Sequence, residues 1–379
     1  MQIDLKRLLE TETKFLEKIS PIASSGRSVN KNIGVIVVAH ILPDAVPYLR
    51  ILNTIFSVDV VFAKQKSINQ DVFNTLKGDY NLVLADRENI SDISYIQGFL
   101  NDSRDGYIFI DIGGYFSNVV DELQNVLKEK FLGCIEDTEN GLQRYSANGP
   151  IAFPFYQVAR SPLKQNEDFL VGQAITFSAE ALFRENGIIL NGQKVGVFGY
   201  GKVGSGVASA LRARQANVTV CDTDPVKVTH AYSHGFTPQD KDTLLKNSDI
   251  ICLATGTKSL LCEDFYKIKN DAILFSITSS DDSIDTNWLA ENFSCKEVSP
   301  LVTQYRLGDT QFYLLNNGNA INFIHGTTVG HFILLVQAEI VACAVKLSLE
   351  GDPNNLHSIP NEICQEIAQY WLDLFTIKQ

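Results

Sequence analysis

A glycine-rich turn between a short apolar run and a helix is the feature that most constrains the fold of this chain. Lys194–Phe198 has the apolar character of a buried strand, and Gly199, Gly201 and Gly204 follow at G-x-G-x-x-G spacing. The periodicity of residues 203–214 then predicts a helix. In such a unit the glycines permit a tight turn, close approach of a pyrophosphate, and close packing of helix on strand. The pattern predicts a dinucleotide site with its phosphates at the helix N-terminus.

The next strand is predicted at 218–221, and it ends in Asp222. An acid at this place accepts hydrogen bonds from a ribose diol and repels a 2′-phosphate. NAD is therefore favoured over NADP, although Lys227 lies close by in the sequence. A further predicted strand, 250–254, leads into the small residues Thr255 and Gly256, which we expect to pass under the nicotinamide ribose.

Composition limits the classes of partner and compartment. The chain has 379 residues, enough for two domains with separate cores, and its net charge of −12 argues against a nucleic acid or an anionic membrane as partner. The apolar segment 332–345 contains Gln337 and Glu339 and is too short to span a bilayer, so it predicts a buried helix. No signal-peptide core or metal-ligand spacing is present, which predicts a cytoplasmic protein with reduced thiols and no metal.

Apolar runs alternate with helical periodicity along the chain, which predicts parallel sheets covered by helices. The strand candidates are 32–38, 58–62, 80–85, 106–112, 130–135, 194–198, 218–221, 250–254, 272–277, 297–299 and 312–315. The predicted fold is α/β with two doubly wound domains. A substrate-binding domain is expected at 1–170 plus 333–379, and a Rossmann NAD-binding domain at 171–332, with C-terminal helices returning to the first domain.

Several stretches, taken in order and nearly without gaps, resemble the S-adenosyl-L-homocysteine hydrolase family. They are 134–141, Phe153 with Pro154, Lys164 with Asp168, 191–201, 222–225, 271–273, 284–285, 305–307 and 318–322. The chain is identified as a divergent member of this family. It ends at Gln379 without the basic-aromatic tail of other members, so we expect a C-terminally shortened one.

The resemblance implies a tightly held NAD that is used within one turnover. In the family the 3′-hydroxyl of an adenosine thioether is oxidised, homocysteine is eliminated, water is added and the ketone is reduced again. Lys164 matches the family lysine at the 3′-hydroxyl, and Asp168 matches its aspartate partner. Asp137 stands where a glutamate grips the 2′-hydroxyl, and His40 aligns with a histidine near C5′. The residues alone also allow a surface pair Lys164–Asp168 on a helix and a structural His40.

Two sets of ligand-binding residues follow from the glycine-rich unit and the resemblance. The predicted cofactor-binding set is Gly199, Gly201, Lys202, Val203, Gly204, Asp222, Thr138, Asn140, Thr255, Gly256 and Asn322. The predicted substrate-binding set is His331, Gln173 and Ser279. His331 matches the histidine that frames the purine in the family, and His325 is the alternative for that role.

Four positions depart from the family pattern. Ile112 replaces an aspartate near C5′, and Phe169 replaces an asparagine beside the catalytic lysine and aspartate. Gln173 stands where many members have a cysteine, and Ser279 replaces a histidine of the C5′ region. Groups for binding NAD and oxidising a hydroxyl remain, whereas those for elimination and water addition are largely lost.

Three functions therefore stay open. The first is an NAD-dependent hydrolase of this family, in one-carbon metabolism, acting on S-adenosylhomocysteine or a related nucleoside or thioether. The second is an enzyme with altered redox or lyase chemistry on another substrate, and the third is a catalytically silent NAD-binding regulator. The retained Lys164 and Asp168 favour an enzyme, whereas Ile112 and Ser279 weigh against the unaltered hydrolase. The resemblance also implies a homo-oligomer, either a dimer or a tetramer.

Overall fold

The computed structural model of the chain describes residues 5–147, 149–256, 258–277, 284–326, 329–350 and 356–376. The chain forms two compact units, one comprising Met1–Gln165 with Gly330–Gln379 and the other Asn166–Val329. Each unit is built on a mainly parallel sheet with helices between its strands, so the prediction of two doubly wound α/β domains is confirmed.

The sheet of the first unit has seven strands, all paired in parallel. They are β1 Ile33–Ile41, β2 Ser57–Ile68, β3 Leu82–Ala85, β4 Gly106–Asp111, β5 Phe131–Glu136, β6 Phe155–Gln157 and β15 Leu356–His357. Their order is β15-β6-β5-β4-β1-β2-β3. Residues 33–39 of β1 are buried throughout because helices cover both faces, which explains the unbroken apolar run. The strand order reverses between β1 and β4, and ligands of doubly wound sheets bind outside the carboxyl ends of the strands at such a point.

Helices of the first unit pack on both faces of this sheet. They are α1 Leu5–Glu17, α2 Ile19–Ser24, α3 Ala45–Ile55, α4 Gln70–Leu76, α5 Arg87–Ile90, α6 Ile93–Gln97, α7 Val120–Leu127, α8 Glu139–Ser146, the start of α9 Pro162–Glu185, α14 Ile333–Glu350 and α15 Asn361–Phe375. Among the described residues, one segment, Gly330–Leu349, is long and apolar enough to cross a membrane by length and composition alone. It is 72% buried, and α14 lies in the core of this unit, as the sequence predicts.

The sheet of the second unit has eight strands in the order β12-β13-β14-β11-β10-β7-β8-β9. They are β7 Lys194–Phe198, β8 Asn217–Cys221, β9 Thr237–Pro238, β10 Ile250–Leu253, β11 Ala272–Ser276, β12 Ser294–Ser299, β13 Val302–Leu307 and β14 Thr310–Leu315. Pairing is parallel from β9 to β14, whereas β12, β13 and β14 form an antiparallel edge. The strand order reverses between β7 and β10, which places the second switch point beside the glycine-rich turn.

Helices of the second unit include the long α9 and those that follow the strands. They are α9, α10 Lys202–Ala213, α11 Pro225–Ser233, α12 Lys241–Asn247 and α13 Thr286–Asn292. Two glycines let α9 and α10 approach closely. A Cβ built on Gly172 would lie 2.5 Å from the carbonyl oxygen of Val203, and one on Gly206 would lie 2.4 Å from that of Phe169. Larger residues at these two positions would push the helices apart.

Candidate functional site

The glycine-rich turn of the second unit has the geometry that a dinucleotide requires. Gly199 has φ +95°, a conformation that favours glycine, and a Cβ on Gly204 would lie only 2.2 Å from the carbonyl oxygen of Gly199. A Cβ on Gly201, in contrast, would meet no atom within 4 Å. The space at Gly201 is open, and α10 begins at the next residue. A pyrophosphate can therefore approach the backbone at the N-terminus of α10.

Asp222 follows β8 and is held by the turn that it faces. Its Oδ2 accepts a hydrogen bond from the amide of Tyr200 at 2.7 Å, and its Oδ1 accepts one from the amide of Asp224 at 2.9 Å. A carboxylate has about four lone-pair sites, so an oriented Asp222 can still accept hydrogen bonds from a ribose diol. The residues of this turn thus fit the adenosine half of NAD.

The remaining residues predicted to contact NAD belong to both units. Thr255 and Gly256 follow β10 on the other side of the switch point, and the backbone of Asn322 lies in a short 3-10 helix, Asn322–His325. Thr138 and Asn140 belong to the first unit, at the start of α8. The Thr138 hydroxyl accepts from the amide of Gly141 and donates to Glu136, so it caps that helix.

Lys202 and Asp168 form an ion pair within the second unit. The Lys202 Nζ lies 3.5 Å from Oδ2 of Asp168, and their side chains are 34% and 16% exposed. This contact links the first residue of α10 to α9. Lys164 lies one turn before Asp168 on α9, and it pairs with a different acid.

In the first unit, Lys164 pairs with Asp137 at the carboxyl end of β5. The Nζ of Lys164 lies 3.1 Å from Oδ1 of Asp137, and the side chains are only 9% and 11% exposed. A buried pair of this kind is a proton donor and an acceptor held together, since each group is costly to bury alone. In the sequence, Asp137 belongs to the stretch 134–141 and Lys164 to the separate pair with Asp168.

His40 lies near the carboxyl end of β1, so it belongs to the same strand-end edge of the sheet as Asp137. Its Nδ1 makes a short hydrogen bond with the Ser67 hydroxyl, and that hydroxyl also donates to the carbonyl of Lys64. Removal from water, reinforced by the charges of Lys64 and Lys164, holds the pKa of His40 well below its usual range. His40 is therefore a neutral imidazole at physiological pH, with a ring orientation that Ser67 fixes.

Two buried acids that sequence reasoning missed anchor the loop after β4. Glu136 accepts hydrogen bonds from the amides of Gly113 and Gly114, both at 2.9 Å, and from the Thr138 amide at 2.7 Å. Burial, together with the nearby charge of Asp111, raises the pKa of Glu136 to about 8. The signal was present, because Asp111 and Glu136 each end a buried apolar strand where an unpaired carboxylate would be costly.

Lys64 and Arg87 complete this region and were also missed. Lys64 donates to the carbonyl of Ile112 at 3.0 Å, and Arg87 donates to the carbonyls of Gly113 and Gly114 at 2.9 and 3.3 Å. Lys64 lies in the part of β2 beyond the predicted strand 58–62, which ends too early. The loop 112–114 is thus fixed by hydrogen bonds: its amides donate to a buried carboxylate, and its carbonyls accept from two cations.

Of the predicted substrate-binding residues, His331 belongs to the first unit and Gln173 to the second. His331 lies in the first unit, where its Nδ1 is 3.2 Å from Glu12 and its ring stacks on Phe375. Gln173 is exposed on α9, and Ser279 lies outside the described residues. His325, the alternative to His331, is exposed in the second unit and contacts the Ser178 hydroxyl at 3.2 Å.

The fold and the glycine-rich turn together define a dinucleotide-binding α/β protein. Residues 176–328 match the family described as S-adenosyl-L-homocysteine hydrolase, NAD binding domain. An S-inosyl-L-homocysteine hydrolase of Methanopyrus kandleri is 30% identical over 269 residues, 66% of this chain and 62% of the relative. An adenosylhomocysteinase of a Nostoc species is 30% identical over 287 residues, 73% of this chain and 67% of the relative. The chain belongs to the S-adenosyl-L-homocysteine hydrolase family, its cofactor is NAD, and it spans about two thirds of the length of these relatives.

Likeness to solved structures is weaker. D-2-hydroxyisocaproate dehydrogenase aligns with a TM-score of 0.36 and 17% identity, over 68% of this chain and 74% of that chain. A likeness of this strength informs neither the substrate nor the mechanism.

Proposed function

We propose that this chain is an NAD-dependent enzyme that oxidises the ribose 3′-hydroxyl of an adenosyl thioether or a related nucleoside, in the course of hydrolysis or elimination. NAD, when bound, supplies the hydride acceptor for such an oxidation. The observation that carries the proposal is the buried pair of Lys164 and Asp137, 3.1 Å apart at the carboxyl end of β5. Family membership and the NAD-binding turn of the second unit support it.

The two members of the pair have separate roles in this proposal. Once its ammonium has released a proton, Lys164 takes the proton of the 3′-hydroxyl, while the hydride of the C3′–H bond would pass to NAD and the carbon becomes a ketone. Asp137 accepts a hydrogen bond from the neighbouring 2′-hydroxyl, which fixes the ribose against Lys164. Two groups 3.1 Å apart can engage both hydroxyls of one vicinal diol.

His40 is the candidate for proton transfer near C5′. Because its pKa is held well below the usual range, it is neutral and able to accept a proton, and Ser67 fixes its ring. Oxidation at C3′ acidifies the C4′ proton, so a neutral base in this region assists elimination of the 5′ substituent.

Ile112 favours a second candidate function, in which oxidation is retained and the later steps are altered. Its side chain is 8% exposed, carries no titratable group, and replaces the aspartate of the family. Without that acid, addition of water at C5′ has one proton-transfer group fewer and depends on His40 alone among the residues proposed for proton transfer there. The enzyme would then stop at a ketone or release an unsaturated product. We also propose that the protein is a homo-oligomer, as the family resemblance implies, and that it is located in the cytoplasm.

A panel of substrates tests the proposal. NAD-loaded protein is mixed with S-adenosylhomocysteine, S-inosylhomocysteine, adenosine and inosine, while NADH absorbance, free thiol and nucleoside products are followed. We expect transient NADH with at least one of them. Thiol release with nucleoside formation supports the hydrolase, and NADH without a hydrated product supports the altered chemistry.

Two substitutions at Lys164 make the test specific. Lys164→Met should lower the rate of NADH formation by about 100-fold or more while NAD stays bound. Lys164→Arg keeps the charge beside Asp137 but cannot act as a base, so it should be equally slow with unchanged stability. Lys31→Met, at an exposed lysine, is the control and should retain the activity. Full activity of Lys164→Arg, or no NADH with any nucleoside or thioether, would contradict the proposal.

A further inference from the structure

Two cations of the first unit converge on one point beside Gly113. A Cβ built on this glycine would lie 3.5 Å from Nη2 of Arg87 and 3.6 Å from Nζ of Lys64. Gly113 has φ +109°, a conformation that favours glycine. A glycine has no side chain that could separate the two cations. The ring of Tyr115 lies beneath both cations, 4.2 Å from the Arg87 guanidinium and 5.9 Å from the Lys64 ammonium.

The polar contacts of these cations are to neutral acceptors. Lys64 uses one of its three donors on the Ile112 carbonyl, and Arg87 uses two of its five on loop carbonyls. Within the described part of the chain, no carboxylate forms an ion pair with either cation. Asp111 and Glu136 are the nearby acids, and backbone amides already bind both of them.

Two like charges held close together repel each other, although Arg87 is exposed to solvent. Removal from water lowers the pKa of Lys64 to about 8, and Arg87 lowers it further, while Glu136, Asp111 and Asp137 offset part of this. The fold maintains this arrangement nonetheless, since each cation is tied to the loop by hydrogen bonds. An incoming anion would relieve the repulsion and raise the pKa of Lys64 again.

Lys64 and Arg87 lie near the point where the strand order of the sheet reverses, which is where doubly wound sheets bind ligands. Lys64 is close enough to His40 for its charge to depress the pKa of the imidazole, and both residues lie toward the carboxyl ends of their strands. The loop 112–114 follows β4, on the other side of the switch point from β1. Ligands of doubly wound sheets bind at this point, so a substrate that contacts His40 is within reach of both cations.

We propose that Lys64 and Arg87 bind an oxyanion of the substrate, a carboxylate or a phosphate, and so select substrates that carry one. The anion site is argued from Lys64 and Arg87 alone, whereas the nucleoside part of the substrate rests on the proposed function. A guanidinium presents several donors in one plane and an ammonium acts as a point charge, a combination that suits either oxyanion. The carboxylate would be that of an amino-acid thioether, and the phosphate that of a nucleotide.

Paired substrates distinguish the two sources. S-adenosylhomocysteine is compared with its decarboxylated analogue, and adenosine 5′-phosphate with adenosine, by kcat/KM for NADH formation. We expect kcat/KM to be at least about 10-fold higher for the anionic member of one pair, through a lower KM. Lys64→Met should bring the ratio of kcat/KM between the two members of that pair down to about 1, whereas Lys64→Arg should retain the preference. Lys66→Met, at an exposed lysine of the same strand, should behave as the wild type.

The proposal is overturned if the wild type prefers neither anionic member, or if Lys64→Met slows both members of a pair equally. A direct measurement separates it from the proposed function. If no compound yields NADH, inorganic phosphate and acetate are titrated into the NAD-loaded protein, and thermal unfolding is followed. One of these anions should raise Tm in the wild type and in Lys64→Arg but not in Lys64→Met. No shift of Tm with either anion would reject the site.

Discussion

The hydroxyl of Tyr145 donates a hydrogen bond to Oδ2 of Asp111 at 2.8 Å. The same carboxylate accepts hydrogen bonds from the amides of Tyr115 and Phe116, at 3.0 and 2.9 Å. Burial raises the pKa of Asp111, whereas these donors act in the opposite direction. Tyr48 provides a contrast, because its buried hydroxyl has no hydrogen-bond partner among the residues that the structure describes.

The two tyrosines should respond differently to removal of the hydroxyl. Tyr145→Phe takes one donor from a buried carboxylate, so we expect the free energy of unfolding to fall by about 1–3 kcal/mol. Tyr48→Phe breaks no hydrogen bond within the described residues, and its effect should lie within about 0.5 kcal/mol or be stabilising. Urea denaturation of both variants measures the difference. Equal losses would mean that the Tyr48 hydroxyl has a partner, such as a buried water.

Elements with a strong local signal could be predicted from the sequence. Unbroken apolar runs gave the central strands of both sheets, because strands covered on both faces are apolar throughout. The strand β13 was missed, although Gly308 and Asp309 separate it from β14 and such a pair is a hairpin signal. The strand β6 was missed because its three residues, Phe155–Gln157, are too few to show a period.

The candidate site shows the same division between local and long-range information. The turn Gly199–Gly204 could be recognised because one continuous segment contains its chemistry. Lys64, Arg87 and Glu136 could not be grouped in this way, since they come from different strand ends and meet only through sheet order. For Lys164 the sequence indicates Asp168, four residues away, as a partner, whereas the ion pair within the first unit joins Lys164 to Asp137, which follows β5.

The stability of the protein should depend on pH through Asp44. Removal from water raises the pKa of Asp44 to about 6, and the charge of Glu12 raises it as well. Gln337 donates a hydrogen bond to the Asp44 carboxylate at 2.7 Å, which lowers this pKa in part. An acid with a raised pKa binds its proton more tightly in the folded state than in the unfolded chain. The free energy of unfolding therefore falls as pH rises from about 4 to about 6, and the loss persists above that range.

Asp44→Asn removes this cost while its amide oxygen can still accept from Gln337. We expect the variant to be more stable than the wild type by about 1–3 kcal/mol near neutral pH, and no more stable below about pH 4. Urea denaturation across this pH range measures the difference, with the exposed Asp102→Asn as the control. A stability difference that does not change with pH would show that Asp44 ionises normally in the folded protein.

Gly201 and Gly204 should separate cofactor binding from folding. Gly201 has φ −75° and an open space at its Cβ position, so Gly201→Ala should leave the free energy of unfolding of the NAD-free protein within about 1 kcal/mol. The new methyl group occupies the approach of the pyrophosphate, so calorimetric titration should show NAD affinity reduced by about 10-fold or more. Gly204→Ala places its Cβ 2.2 Å from the Gly199 carbonyl oxygen, which must shift, and should destabilise the NAD-free protein by about 1–3 kcal/mol. Unchanged NAD affinity in Gly201→Ala would show that the pyrophosphate does not approach this turn.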